Sequence, residues 1–235
     1  NWSDALQTFG LGAAGGYGFY QAKRVAGRHS PAAGLALGYA AASVVENAAR
    51  GQHPLGYVRV GLGGFDVRMR TPAASRSCGP AWVLEVNALW VASFVVLLPR
   101  SNAVLFKNGI VGHLLPDRNG RPIASAVGRF VVLHDGYERR STAVVPHEMI
   151  HVIQSLQIGA VTPYYRLSRL LGGAELRLGE SGRWDLQVDW LYGALALANL
   201  PVPYADRWTE IEAYTLAPEV RPWRPGPVMM LGRAK

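Results

Sequence analysis

His147-Glu148-Met149-Ile150-His151 is the one stretch in which residue type and spacing together specify a reaction. Two histidines four positions apart share one side of a helix, so both rings can aim a nitrogen at a single ion about 2.0–2.1 Å away. Glu148 lies one step round the same helix, within reach of a water on that ion. Neutral imidazoles leave a divalent cation its full charge, which brings the water's pKa towards ~7. A neighbouring carboxylate can then take the proton and pass it to a leaving amine. The chemistry is hydrolysis by metal-activated water. The bland alternative is a surface helix with two solvated histidines.

A helix over 147–158 sets Met149, Val152, Ile153 and Leu156 on one stripe, and His147, Glu148, His151, Gln154 and Ser155 on the other side. Pro146 lacks an amide hydrogen, so the helix is expected to start at about 143–145, with Pro146 in its first turn and Glu148 near the positive end of the dipole. His151 is the last histidine of the chain. The third ligand is therefore an Asp, a Glu or an upstream histidine. A second helix over 208–217, capped by Asp206 and stopped by Pro218, aligns Glu210, Ala213, Tyr214 and Ala217 at i, i+3, i+4 and i+7. Its two alanines allow close packing on the first helix. Glu212 points about 200° away from Glu210, so only one of these acids can face the metal.

His147–His151 combined with Glu210-x-x-Ala213 resembles the gluzincin metallopeptidases. In the prenyl-protein (CAAX) peptidases and their bacterial heat-shock relatives, the zinc-binding Glu opens a Glu-x-x-Ala-Asp motif on a later helix. The resemblance implies Glu210, not Glu212, as the ligand. It also implies one Zn²⁺ per chain on His147, His151 and Glu210, Glu148 as general base, and a peptide or protein substrate. The chain departs from those families at Tyr214, where they have Asp, and in lacking their several membrane helices. The run from His147 to Ser155 is also similar to small bacterial envelope proteins of zincin type, which implies a cell-envelope or secreted location. The resemblance spans residues 128–217. Tyr214, one turn after Glu210, can donate to a tetrahedral intermediate or simply pack.

The elements that must position these residues read as an α+β, zincin-like fold. The active-site helix packs on a small, mostly antiparallel sheet, behind an N-terminal Gly/Ala-rich helix. Residues 1–127 form an N-terminal helix and β-rich region associated with a membrane. Residues 128–235 form the metal-binding region, continuous with it as one domain. Gly10 to Gly18 reads as irregular. Ser30, Pro31 and Gly51 bracket a helix over 31–50. Alternation over 57–70, broken by Gly63-Gly64, predicts a hairpin with Val58, Val60 and Leu62 on one face and Tyr57 and Arg59 on the other. Residues 81–98, between Pro80 and Pro99, are the most apolar stretch. As a helix they would span about 27 Å, nearly a bilayer, yet Glu85 and Asn87 suit buried strands or a core helix instead. Beyond this come a turn at Asp117–Gly120, a strand at 128–134, a short hairpin over 174–184 and a helix over 185–199. The proline-rich tail from Pro218 is expected to be extended.

Composition narrows the function. The chain has 235 residues, with 49% apolar and 17% charged, a balance that excludes intrinsic disorder. Cys78 is the only cysteine, which excludes a disulfide scaffold and a multi-cysteine zinc site. The net charge is +8, carried by arginines that never cluster beyond the pairs Lys23-Arg24 and Arg139-Arg140. Such spread charge argues against nucleic acid and for a solvated surface or attraction to anionic lipid. His134-Asp135 and the Asp185/Asp189 pair are weaker candidates, readable as a strand end and a solvated helix face. Cys78 reads as inert, and Gly61-x-Gly63-Gly64 lacks the helix a dinucleotide site needs. The rival to an enzyme is a non-catalytic, zincin-like envelope subunit of a larger membrane-associated assembly.

Overall fold

The structure, a computed structural model, describes residues 2–74, 81–101, 103–107, 110–116, 124–127, 129–134, 141–161, 176–178, 182–187, 194–195, 197–198, 201–203 and 206–217. Its helices are α1 (Trp2–Arg28), α2 (Pro31–Ala49), α3 (Ala88–Leu97), α4 (Ser141–Val161) and α5 (Trp208–Leu216). Its strands are β1 (Tyr57–Leu62), β2 (Phe65–Arg70), β3 (Trp82–Asn87), β4 (Ala103–Lys107), β5 (Ile110–Leu115), β6 (Ala124–Val127), β7 (Phe130–His134), β8 (Leu176–Leu178) and β9 (Gly182–Gln187). The class is α+β, as expected. There are two sheets where one was expected, in the orders β1-β2-β3-β9-β8 and β4-β5-β7-β6. Each contains one parallel pair, β3/β9 and β5/β7, among antiparallel neighbours.

Helix α4 runs through the core. Met149, Val152, Ile153 and Leu156 pack against Phe19 and Ala22 of α1, Leu35 and Ala42 of α2, and Val131 and Leu133 of β7. This core joins residues from both sides of position 127, and β3 pairs with β9 across the same point. Pro146 falls in the second turn of α4 rather than the first, because the helix begins at Ser141.

The glycine-rich opening is helical, contrary to its reading as irregular. A Cβ at Gly15 would collide with Val45, one at Gly34 would collide with Ala26, and one at Gly18 would lie 3.0 Å from Ala41. These glycines let α1 and α2 approach closely, and that packing offsets their poor helix propensity. The α2 boundaries are as expected. Ser30 accepts from the Ala33 amide at 3.2 Å, Pro31 opens the helix, and Gly51 follows it at φ 63°. The hairpins β1/β2 and β8/β9 also form, the first turning at Gly63 with φ 57°.

The apolar stretch 81–98 is neither one span nor one strand. It is β3 followed by α3, with Asn87 Oδ1 capping the helix at Trp90 N, 2.8 Å away. No helix among the described residues is long and apolar enough to cross a membrane. The expected helix over 185–199 is corrected at its start. Asp185 lies in β9, buried on the sheet and 3.0 Å from Arg183, so it is not on a solvated helix face. Asp189, Cys78, Asp135, the turn at 117–120 and the tail from Pro218 lie outside the described residues.

The first sheet is turned inside out. An antiparallel hairpin normally buries its apolar face. Here Arg59, Arg68, Val83 and the partly exposed Arg183 form one rung across the strands, and the buried Asp66, Glu85 and Asp185 form the next. All face the helices, where Glu46 of α2 sits 2.6 Å from Arg59, Tyr39 donates to Asp66 at 3.1 Å, and Arg129 pairs with Asp66. Arg59 also pairs with Glu85. Opposite charges in adjacent rungs offset a desolvation cost that would otherwise forbid the arrangement. The other face carries the apolar rungs Val58–Met69–Trp82, Val60–Val67–Leu84–Trp184 and Leu62–Phe65–Val86.

Candidate metal centre

The site sits where α4 meets α5. Ile150 of α4 is buried against Ala213, Leu216 and Ala217, and the small side chains at 213 and 217 bring the two helices together as the sequence predicts. Glu210, in the first turn of α5, is thereby carried over the histidine face of α4. The N-cap of α5 is Arg207, not Asp206, and it makes no side-chain cap bond.

His147, His151 and Glu210 form a buried cluster whose donor atoms can hold a metal ion. His147 Nε2 and His151 Nε2 are 3.2 Å apart. Glu210 places Oε2 at 3.3 Å from His147 Nε2 and Oε1 at 3.4 Å from His151 Nε2. Tetrahedral donors bonded to an ion at 2.0–2.1 Å stand about 3.3–3.4 Å from one another, and each histidine nitrogen lies at about that distance from one oxygen of the Glu210 carboxylate. Two imidazoles and a carboxylate are also a donor set that suits a borderline divalent metal. Sequence analysis therefore placed all three ligand candidates at one site.

Glu148 is only 4% exposed, and its Oε2 has no hydrogen-bond partner among the described residues. His147 Nδ1 is likewise unpartnered among them. A buried carboxylate oxygen left this way calls for a donor. Burial pushes the Glu148 pKa up, the two histidines oppose that, and Glu210 adds to it. Burial also works against charging His151, but the hydrogen bond from Glu210 and the charges of Glu148 and Glu210 outweigh it and lift its pKa to about 9. Tyr214, half-buried, lays its ring 4.6 Å from that of His147, at the edge of the same site.

The polar side of α4 is not solvated. Gln154 and Ser155 are each 1% exposed. His151 Nδ1 lies 2.8 Å from Gln154 Oε1. The Gln154 amide donates to Thr209 O at 3.0 Å and to Glu212 Oε2 at 2.8 Å. Glu212 in turn pairs with Lys23 of α1, which also donates to Gln157 at 3.0 Å. Both amide protons of Gln154 are thus committed to acceptors, so its oxygen must face His151. His151 then carries a proton on Nδ1, which leaves Nε2 as the nitrogen available to a metal ion. Glu212 does point away from the metal, as expected, yet it supports the site through Gln154. Sequence reasoning missed the roles of Gln154, Glu212 and Lys23. The only sequence signal was the placement of Gln154 one turn after His151.

No family model, curated protein or solved structure matches the chain.

Proposed function

We propose that this chain is a zinc-dependent metallopeptidase with a zincin-type site, cleaving peptide or protein substrates. One observation carries the reading: three buried residues of metal-binding type gathered at one point, with a Glu148 carboxylate oxygen that has no partner among the described residues beside both histidines. His147, His151 and Glu210 would hold the metal, and zinc is the ion that best suits two imidazoles and one carboxylate in a buried site. When bound, zinc supplies Lewis acidity and brings a water's pKa towards ~7. Glu148 would accept the proton of the attacking water and return it to the leaving amine, a role suited by a carboxyl whose pKa burial raises. Tyr214 donates to the charge developing on the substrate oxygen. Gln154 holds His151 in the tautomer the metal needs.

The burial of all four site side chains, none more than 6% exposed, also suits a non-catalytic, zincin-like accessory subunit. Glu148→Gln separates the two readings. A peptidase variant should retain stoichiometric zinc by elemental analysis and lose about 10²–10⁴-fold of the wild type's cleavage of a mixed peptide library read by mass spectrometry. Zinc in both proteins with cleavage by neither would leave the accessory reading. No zinc in the wild type would overturn the metal centre itself.

A further inference from the structure

The apolar outer face of the first sheet is a specified feature. Slipping any strand by one residue would turn its apolar side inward. The slip is prevented by the buried pairs of Arg59 with Glu46 and Glu85 and of Arg129 with Asp66. Val60, Leu62, Phe65 and Met69 are left 42–46% exposed on adjacent strands. The surface continues onto α3. The Phe65 ring meets Trp90 edge-on at 5.4 Å, Trp90 stacks on Phe94 at 4.9 Å, and Val95 and Val96 beyond it are 60% and 59% exposed. An apolar surface running across a sheet and a helix marks a place where something other than water is met.

Charge identifies what that is. Glu46, Asp66, Glu85, Glu148, Asp185 and Glu210 are all buried, so the acids of a +8 chain are largely withdrawn from its described surface. Exposed Arg100 ends the turn that follows α3, beyond the exposed Val95 and Val96. A second copy of so basic a chain would be repelled, whereas an anionic surface would be attracted. We propose that the outer face of this sheet and α3 dock on an anionic lipid surface, apolar side chains in the headgroup boundary and Arg100 on the headgroups. No described helix crosses a membrane, so the contact is peripheral. This proposal stands apart from the metal centre, whose residues belong to α4 and α5 and not to this sheet or α3.

The test is sedimentation of the full chain with vesicles of mixed phosphatidylglycerol and phosphatidylcholine, and with phosphatidylcholine alone. The wild type should bind the mixed vesicles, bind the neutral ones at least about tenfold more weakly, and be released by high salt. Phe65→Glu/Met69→Glu should weaken binding by about tenfold or more. The milder pair Val95→Ser/Val96→Ser, on a well-exposed helix face, should weaken it in the same direction. Circular dichroism and thermal midpoints establish that each variant is folded. Three results would overturn the proposal: absence of wild-type binding, equal binding by folded variants, or self-association of the free chain that the same substitutions abolish.

Discussion

Gln154 has less freedom than any other side chain around the metal centre. Rotating its amide by half a turn would set its oxygen against Thr209 O and the Glu212 carboxylate, and its NH₂ against His151. Gln154→Leu removes that constraint and leaves a buried Nδ1–H without its acceptor. Metal affinity, read by competition with a chromophoric chelator, should fall about 10–100-fold. Glu212→Gln leaves Gln154 an acceptor and should cost less, whereas Glu210→Gln removes a ligand atom and should cost most. Native affinity in Gln154→Leu would mean that the His151 tautomer is held by some other group. Of the candidate ligands, the two histidines were legible from their helical spacing, whereas Glu210 was singled out from Glu212 by the resemblance of Glu210-x-x-Ala213 to the gluzincin motif. The support behind them was not legible, since Lys23 meets Glu212 across 189 positions and nothing in either neighbourhood announces the other.

Between elements, one arginine does what a hydrophobic residue would do in an ordinary sheet. Arg59 joins α2 to β1 and β3 by reaching Glu46 at 2.6 Å and pairing with Glu85, while being only 3% exposed. Arg59→Leu removes the shortest ion pairs of two buried carboxylates. Among ion pairs between described residues it leaves Glu46 only Arg50 at 3.7 Å, and Glu85 the more distant Arg68 at 4.0 Å. The substitution should lower the unfolding free energy by about 3–5 kcal/mol, measured by urea titration. Val60→Ala, next along the strand but 46% exposed, should change it by less than about 1 kcal/mol in the absence of lipid. The opposite ranking would mean that the apolar face carries the stability of the sheet in water. Alternation over 57–70 predicted the hairpin correctly, since the period of two is independent of which face is buried. It could not show the inversion, because that depends on Glu46 and Arg129 arriving from elsewhere in the chain. The opening helix was illegible for a related reason: Gly15 and Gly18 read as breakers until α2 is there to pack against them.

For the whole molecule, an ion on His147, His151 and Glu210 would be a cross-link. It would tie α4, at the heart of the core, to α5, a helix of nine residues that is too short to stand alone in water. Without the ion, α5 is held by the small cluster around Ile150 and by the contact of Glu212 with Lys23 and Gln154. Inside that contact His147, His151, Glu148 and Glu210 must then share protons rather than a divalent cation. Zinc at about a hundredfold over its dissociation constant adds about 2.7 kcal/mol to any opening that breaks the site. Chelation should therefore speed hydrogen exchange in the second half of α5 by up to about a hundredfold. Amides of α2, which is packed on α1 and α4 without touching the ligands, should accelerate only as far as global unfolding does. Equal acceleration in both helices would mean that α5 opens only with the rest of the chain. No change in either would mean that no ion bridges His147, His151 and Glu210, and the metallopeptidase reading would fall with the cross-link.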